Sequence, residues 1–247
     1  MIDTKTYHLR VFNTTDAFTY AAAEFIADKA IEAIEARGRF TICLSGGETP
    51  YAVYELLSGL PFREQIMWKK THVFWGDERC VPLDDQRNNS HQARSILLNK
   101  VNIPSVNIHF MPVNLRHKEA AISYEKELNS FFGGEPAQFD LVLLGLGTNG
   151  HTASLFPYTN VLTEKNPGIR TVYVDDEQIC RITMTAPLIN EARHILFLVS
   201  GQKKASILKT VLTEAQQPDK YPAQLIKPRH GDLYWFTDKD AASLLDV

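Results

Sequence analysis

Cysteine is scarce in these 247 residues: there are three, Cys43, Cys80 and Cys180, far apart in the chain. No two sit at metal-ligand spacing, and an odd number cannot all pair within one chain. The sequence therefore predicts neither a disulfide framework nor a metal centre. Long apolar runs are missing too, and none approaches the ~20 residues of a membrane span. The opening stretch, MIDTKTYHLRVF, carries early charges and no long apolar core, unlike a signal peptide. There is no basic excess: 26 Lys and Arg against 29 Asp and Glu leave a net charge of −3 with His neutral. A nucleic-acid or membrane-surface partner would call for a strong positive field, so neither is expected. Linkers, repeats and low-complexity stretches are lacking as well. What is there is 44% hydrophobic, enough for a substantial core in one domain over residues 1–247 in a reducing, cytoplasmic setting.

Apolar periodicity predicts strands over Leu9–Phe12, Phe40–Leu44, His72–Trp75, Val106–Phe110, Phe139–Leu144, Arg170–Asp175, Arg193–Val199 and Leu233–Phe236. Between them it predicts helices over Thr15–Arg37, Pro50–Leu57, Gln86–Leu98, Lys118–Phe132, Lys203–Leu212 and Asp238–Leu245. Thr14 or Thr15 caps the first helix and Gly38 stops it. Near-continuous apolar strands alternating with helices imply an α/β fold: one doubly wound, mainly parallel sheet with helices on both faces. In such folds ligands bind beyond the carboxyl ends of the strands, which directs attention to the loops after Leu44, Trp75, Leu144 and Val199.

After Leu44 comes Ser45-Gly46-Gly47-Glu48-Thr49-Pro50. It reads either as a phosphate cradle at a helix start or as an ordinary strand–helix turn, and it is not a Walker A loop. Trp75-Gly76-Asp77-Glu78-Arg79-Cys80-Val81-Pro82 offers a general base and a phosphate partner, or merely a solvated charge run. Cys80 has no His or Lys partner nearby in sequence and reads as a packed thiol. The segment Gly145-Leu146-Gly147-Thr148-Asn149-Gly150-His151 mimics a dinucleotide fingerprint. Pro157, Asn160, Pro167 and Gly168 interrupt the place where the crossover helix should follow, so NAD or FAD is rejected. What remains is a histidine on a glycine-rich turn, placed where a base could meet a ligand. Arg181, after an apparent strand, and Lys204, where a strand gives way to a helix, are each ordinary surface charges alone. With the Gly46-Gly47 loop they would make a convergent phosphate site. The other histidines show no metal spacing.

These segments together resemble the 6-phosphogluconolactonases. LSGGETP (Leu44–Pro50), WGDERCVP (Trp75–Pro82), GLGTNGHTASLFP (Gly145–Pro157), RITMTAPLIN (Arg181–Asn190), LVSGQKKA (Leu198–Ala205) and the late Trp235 segment span nearly the whole chain, in order. The resemblance implies a Rossmann-like fold akin to the glucosamine-6-phosphate deaminases. It also implies hydrolysis of 6-phospho-D-glucono-1,5-lactone to 6-phosphogluconate, in the oxidative pentose phosphate pathway, with no cofactor or catalytic metal. The partner implied is the small phosphorylated sugar lactone, and the protein is expected to be a monomer or homodimer. Family roles fall on His151 as general base with Asp77 nearby, and on Gly46, Gly47, Arg79, Arg181 and Lys204 as contacts to phosphate or hydroxyls.

One position departs from the pattern. Members commonly carry Asp two residues before the His, where this chain has Asn149. An Asn oxygen can accept an imidazole N–H but cannot neutralise the imidazolium, which leaves the charge to Asp77 or Glu78 if a carboxylate is needed. Two other readings compete. An aminosugar-phosphate deaminase or isomerase would place a further carboxylate shortly after the His, where this chain has Ser154-Leu155-Phe156. A non-catalytic sugar-phosphate-binding protein would bind 6-phosphogluconate without turnover.

Overall fold

The computed structural model describes residues 7–135, 137–174 and 178–246. In chain order the strands are β1 (His8–Phe12), β2 (Phe40–Leu44), β3 (Thr71–Trp75), β4 (Asp77–Arg79), β5 (Leu141–Gly145), β6 (Ile169–Val174), β7 (Ile179–Met184), β8 (His194–Val199) and β9 (Asp232–Asp238). The helices are α1 (Thr15–Arg37), α2 (Glu48–Ser58), α3 (Phe62–Gln65), α4 (Asn89–Ala93), α5 (His117–Phe131), α6 (Ala186–Ile189), α7 (Ala205–Thr213) and α8 (Lys239–Ala242). Six strands form one sheet in the order β1-β9-β8-β5-β2-β3, with every pairing parallel. Every residue of β2 is buried, and so are the interior residues of β5 and β8, which requires helices on both faces. The chain runs outward from β2 to β3, then returns to place β5 on the other side of β2. The loops after β2 and β5 therefore diverge at the switch point, where an open α/β sheet leaves a crevice.

The first helix shows how local sequence sets these elements. The Thr14 hydroxyl accepts the Ala17 N–H, and the N–H of Gly38, at φ +75°, donates to Ile34 O. Small buried residues on α1, among them Ala22, Ala23, Ala30 and Ala33, let it lie close against the sheet. Thr15, the other capping candidate, donates instead to Asp238 Oδ2 at 3.2 Å.

Four expectations shift. The stretch at Val106–Phe110 is a 3₁₀ turn over Ser105–Asn107, and only Ile108 bridges β3. Pro104 opens that turn, and the Asn107 carboxamide donates to Lys69 O and Thr71 O, bonds that take the place of a ladder. The helix predicted from Gln86 begins at Asn89, because Asn88 caps it by accepting the His91 N–H. It then widens into a π-helical turn over Arg94–Leu98. The strand predicted over Arg170–Asp175 stops at Val174 among the described residues, and Asp175 lies outside them. That strand joins a second, antiparallel sheet in the order β4-β7-β6, so the sheet architecture is parallel plus a small antiparallel layer. Arg181, expected after a strand, is inside β7.

Candidate active site

The cleft at the switch point has a volume of about 1000 Å³. Gly46, Gly47, Asp77, Arg79, His151, Arg181 and Lys204 all line it, drawn from five separate segments of the chain. Asn149 is not among the lining residues; it is exposed and touches the His151 ring.

The glycine loop follows β2 and opens α2. Gly47 has φ +110°, a conformation that side chains rarely adopt. A Cβ on Gly46 would collide with the Asn89 carboxamide. That carboxamide is busy on both sides: its nitrogen donates to Asp77 O at 3.0 Å and its oxygen accepts from Arg79 at 2.7 Å. Close approach of the backbone at Gly46 is therefore what lets Asn89 hold Arg79 at the cleft. Tyr54, buried in α2, fixes the loop's start through Ser45 N–H and Ser45 O.

The three charges of β4 divide by strand alternation. Asp77 and Arg79 face the cleft across from Thr183 and Arg181. The buried Asp77 carboxylate accepts the Ser154 hydroxyl at 2.6 Å and pairs with Arg181 at 3.6 Å. Arg79 also donates to Arg87 O, and its Nε has no hydrogen-bond partner among the described residues. Glu78 points the other way and is 1% exposed. It accepts the backbone N–H groups of Arg79, Asn89 and Ser90 at 2.7–2.8 Å. Burial lifts its carboxyl to about 7 against the pull of those donors. Glu78 thus organises the segment carrying Asn89, which removes it as the charge partner considered for His151.

His151 sits on the turn after β5. Gly147 N–H donates to His151 O, Gly150 N–H donates to Gly147 O, and Gly150 has φ +84°. A Cβ on Gly147 would overlap the imidazole, so only glycine leaves room for the ring. The ring stacks on Phe156 with centroids 4.2 Å apart. Asn149 Oδ1 lies 2.6 Å from His151 Nδ1 and also accepts the His151 backbone N–H at 3.2 Å. Because a backbone N–H only donates, the Asn149 atom facing it is the carbonyl oxygen. Nδ1 then carries a proton, so in the neutral imidazole Nε2 is the basic nitrogen. The Asn that departs from the usual Asp still selects the tautomer of the neutral ring.

Lys204 closes the far side. It lies in a 3₁₀ turn over Gln202–Lys204 before α7, one residue ahead of the α-helix proper. Its Nζ donates to Leu146 O at 2.6 Å, and burial lowers its pKa. Sequence reasoning missed several neighbours: Thr15, Thr49, Asn89, Ser154, Ser200 and Asp238. Thr49 and Ser200 share a hydrogen bond at 2.9 Å across the cleft, and Asp238 accepts the Gly201 N–H while capping α8. Asn89 and Ser154 carried no signal in sequence, because their roles come from the partners that folding brings to them.

An open parallel α/β sheet with glycine turns, four cations (Arg79, Arg181, Lys203 and Lys204) and a histidine at its switch point defines an α/β protein with a cation-rich cleft. The chain belongs to the family of glucosamine-6-phosphate isomerases and 6-phosphogluconolactonase, whose model matches residues 13–235. It is 43% identical over 224 residues to the 6-phosphogluconolactonase of Synechocystis sp., covering 89% of this chain and 90% of that one. The crystal structure of 6-phosphogluconolactonase from Thermotoga maritima superposes with a TM-score of 0.82 at 29% identity, over 94% of this chain and 100% of that one. A monomeric glucosamine-6-phosphate deaminase shares the fold, at 22% identity and a TM-score of 0.81, over 96% of this chain and 99% of that one. Among the described residues no helix is long and apolar enough to cross a membrane.

Proposed function

We propose that the chain hydrolyses 6-phospho-D-glucono-1,5-lactone to 6-phosphogluconate, with the switch-point cleft as its active site. The observation that carries this reading is the contact of His151 Nδ1 with Asn149 Oδ1, which makes Nε2 the basic nitrogen of the neutral ring, in a cleft that Arg79, Arg181 and Lys204 also line. The phosphate docks on the Gly46-Gly47 loop at the start of α2, where free backbone N–H groups favour an anion, with Arg181 and Lys204 beside it. Nε2 of His151 then takes a proton from water as its oxygen attacks the lactone carbonyl carbon. Donors lining the cleft, Arg79 among them, stabilise the oxyanion. The bond from the carbonyl carbon to the ring oxygen breaks, and the imidazolium returns its proton to the departing oxygen. Asp77 holds Arg181 and Ser154 in place and so shapes the cation side of the cleft.

The lactone opens in water unaided, so a positioned base worth roughly 10²–10⁴-fold is a meaningful contribution. Lactone hydrolysis measured above the spontaneous rate is the test. His151→Ala is expected to lose about 10²–10⁴-fold in kcat and still bind 6-phosphogluconate. Full activity in that variant would remove His151 as the base, and no turnover by the wild type would leave a binding protein.

A further inference from the structure

The three cysteines are far apart in sequence, but two of them meet in the fold. Cys80 directly follows β4 and Cys180 lies in β7, and the Cys80 N–H donates to Cys180 O at 2.9 Å. The antiparallel register that pairs Arg79 with Arg181 sets the two cysteines opposite one another one step further along. Strand alternation puts them on the face away from Arg79 and Arg181, the side taken by Glu78. His117, the first residue of α5, completes the group, and α5 packs on β6 and β7. The two sulfurs and one imidazole nitrogen all lie within 4.8 Å of one another.

We propose that Cys80, Cys180 and His117 form a binding site for a thiophilic d¹⁰ cation, zinc being the case tested. Two thiolates and an imidazole are a soft donor set, unlike the oxygen-rich sites of magnesium or calcium. Zinc bonds of about 2.3 Å to sulfur and 2.0–2.1 Å to nitrogen place tetrahedral donors roughly 3.5–3.8 Å apart. Closure therefore draws the group together by about 1 Å, within reach of side-chain rotation because His117 is exposed. Cys80 is half-buried and Cys180 nearly buried, so the ion enters from the His117 side and a water completes four-coordination. Binding replaces both S–H protons with sulfur–metal bonds and releases them to solvent. The residues next to the ligands are Arg79 and Arg181, so the ion would clamp the two strands that present the cleft's guanidinium groups. No linear spacing of ligands predicts this site, because the register of β4 on β7 creates it.

The full chain, reduced and stripped with chelator, is titrated with Co²⁺ under anaerobic conditions. A thiolate-to-cobalt charge-transfer band saturating at one equivalent, and bleached by Zn²⁺, is the expected result. The double variant Cys80→Ser/Cys180→Ser keeps Cys43 and is expected to lose the band. His117→Ala, a surface change, is expected to keep a weaker site, with affinity down roughly tenfold or more. Circular dichroism and metal-free melting establish that each variant folds; should the serine pair fail to fold, His117→Ala still decides. No band in the wild type, a band surviving in the double variant, or unchanged affinity in His117→Ala would overturn the site. So would a chain that takes up no ion and instead closes a Cys80–Cys180 disulfide.

Discussion

Among individual side chains, Asn149 has the most direct hold on the proposed chemistry. Its oxygen receives two N–H groups of His151, one from the backbone and one from the ring, and so it chooses which ring nitrogen is basic. Asn149→Leu removes that choice and is expected to lower kcat by about 10–100-fold with little change in folding stability. Asn149→Asp keeps the acceptor and adds a charge that favours imidazolium. Since the base must be neutral to work, the acid limb of the pH–rate profile is expected to move to higher pH in the Asp variant. A limb that stays where the wild type has it would mean that the residue at 149 does not act through the His151 proton. The sequence offered Asn149 as an acceptor for the ring N–H; the turn through Gly147 and Gly150 is what folds the carboxamide back onto Nδ1.

For the short elements, the instructive case is β4 with the segment that follows it. In sequence, Asp77-Glu78-Arg79 is three charges in a row, and nothing there separates their tasks. Pairing with β7 does so, sending Asp77 and Arg79 to the cleft and Glu78 into a bed of backbone donors. The Glu78 carboxyl titrates near 4.3 in an unfolded chain and at about 7 in the fold. Between those values the native state holds the extra proton. Its contribution to stability is therefore greatest at low pH, declines as pH rises towards 7 and is level above that. Glu78→Gln is expected to flatten this slope in denaturant melts across pH 4–8. It should also be less stable throughout, because one amide oxygen cannot serve three N–H groups. The glycine loop, the histidine turn and most helices were legible because each is specified by adjacent residues. The Val106–Phe110 stretch misled because the Asn107 bonds to Lys69 O and Thr71 O join segments distant in the chain.

Over the whole molecule, the parallel sheet and its switch point were legible from alternating strands and helices, and the cleft lies where that topology predicts. What the sequence concealed is the second sheet, and with it the convergence of Arg79 on Arg181 and of Cys80 on Cys180. Both depend on a pairing between segments about a hundred residues apart, for which strand-like composition carries no address. Because four cations line one cleft, an anionic ligand should stabilise the entire fold. 6-Phosphogluconate at about 100 times its Kd is expected to add ~2.7 kcal/mol, raising Tm by roughly 5–10 °C. Arg79→Ala should shrink that shift, and a variant that keeps it in full would place the phosphate elsewhere.

The hydrogen bond from Thr15 to Asp238 spans 223 residues and joins the start of α1 to the cap of α8 at the rim of the cleft. The first strand likewise has a single neighbour in its sheet, and that neighbour is the last strand. A ribosome adding roughly 5–20 residues per second therefore leaves β1 waiting on the order of ten seconds or more for its partner to be made. During that interval the apolar side of α1 has no completed sheet beneath it, and the cleft has no Asp238 to fix Gly201. Neither β1 nor the start of α1 can therefore settle before β9 and α8 have been made.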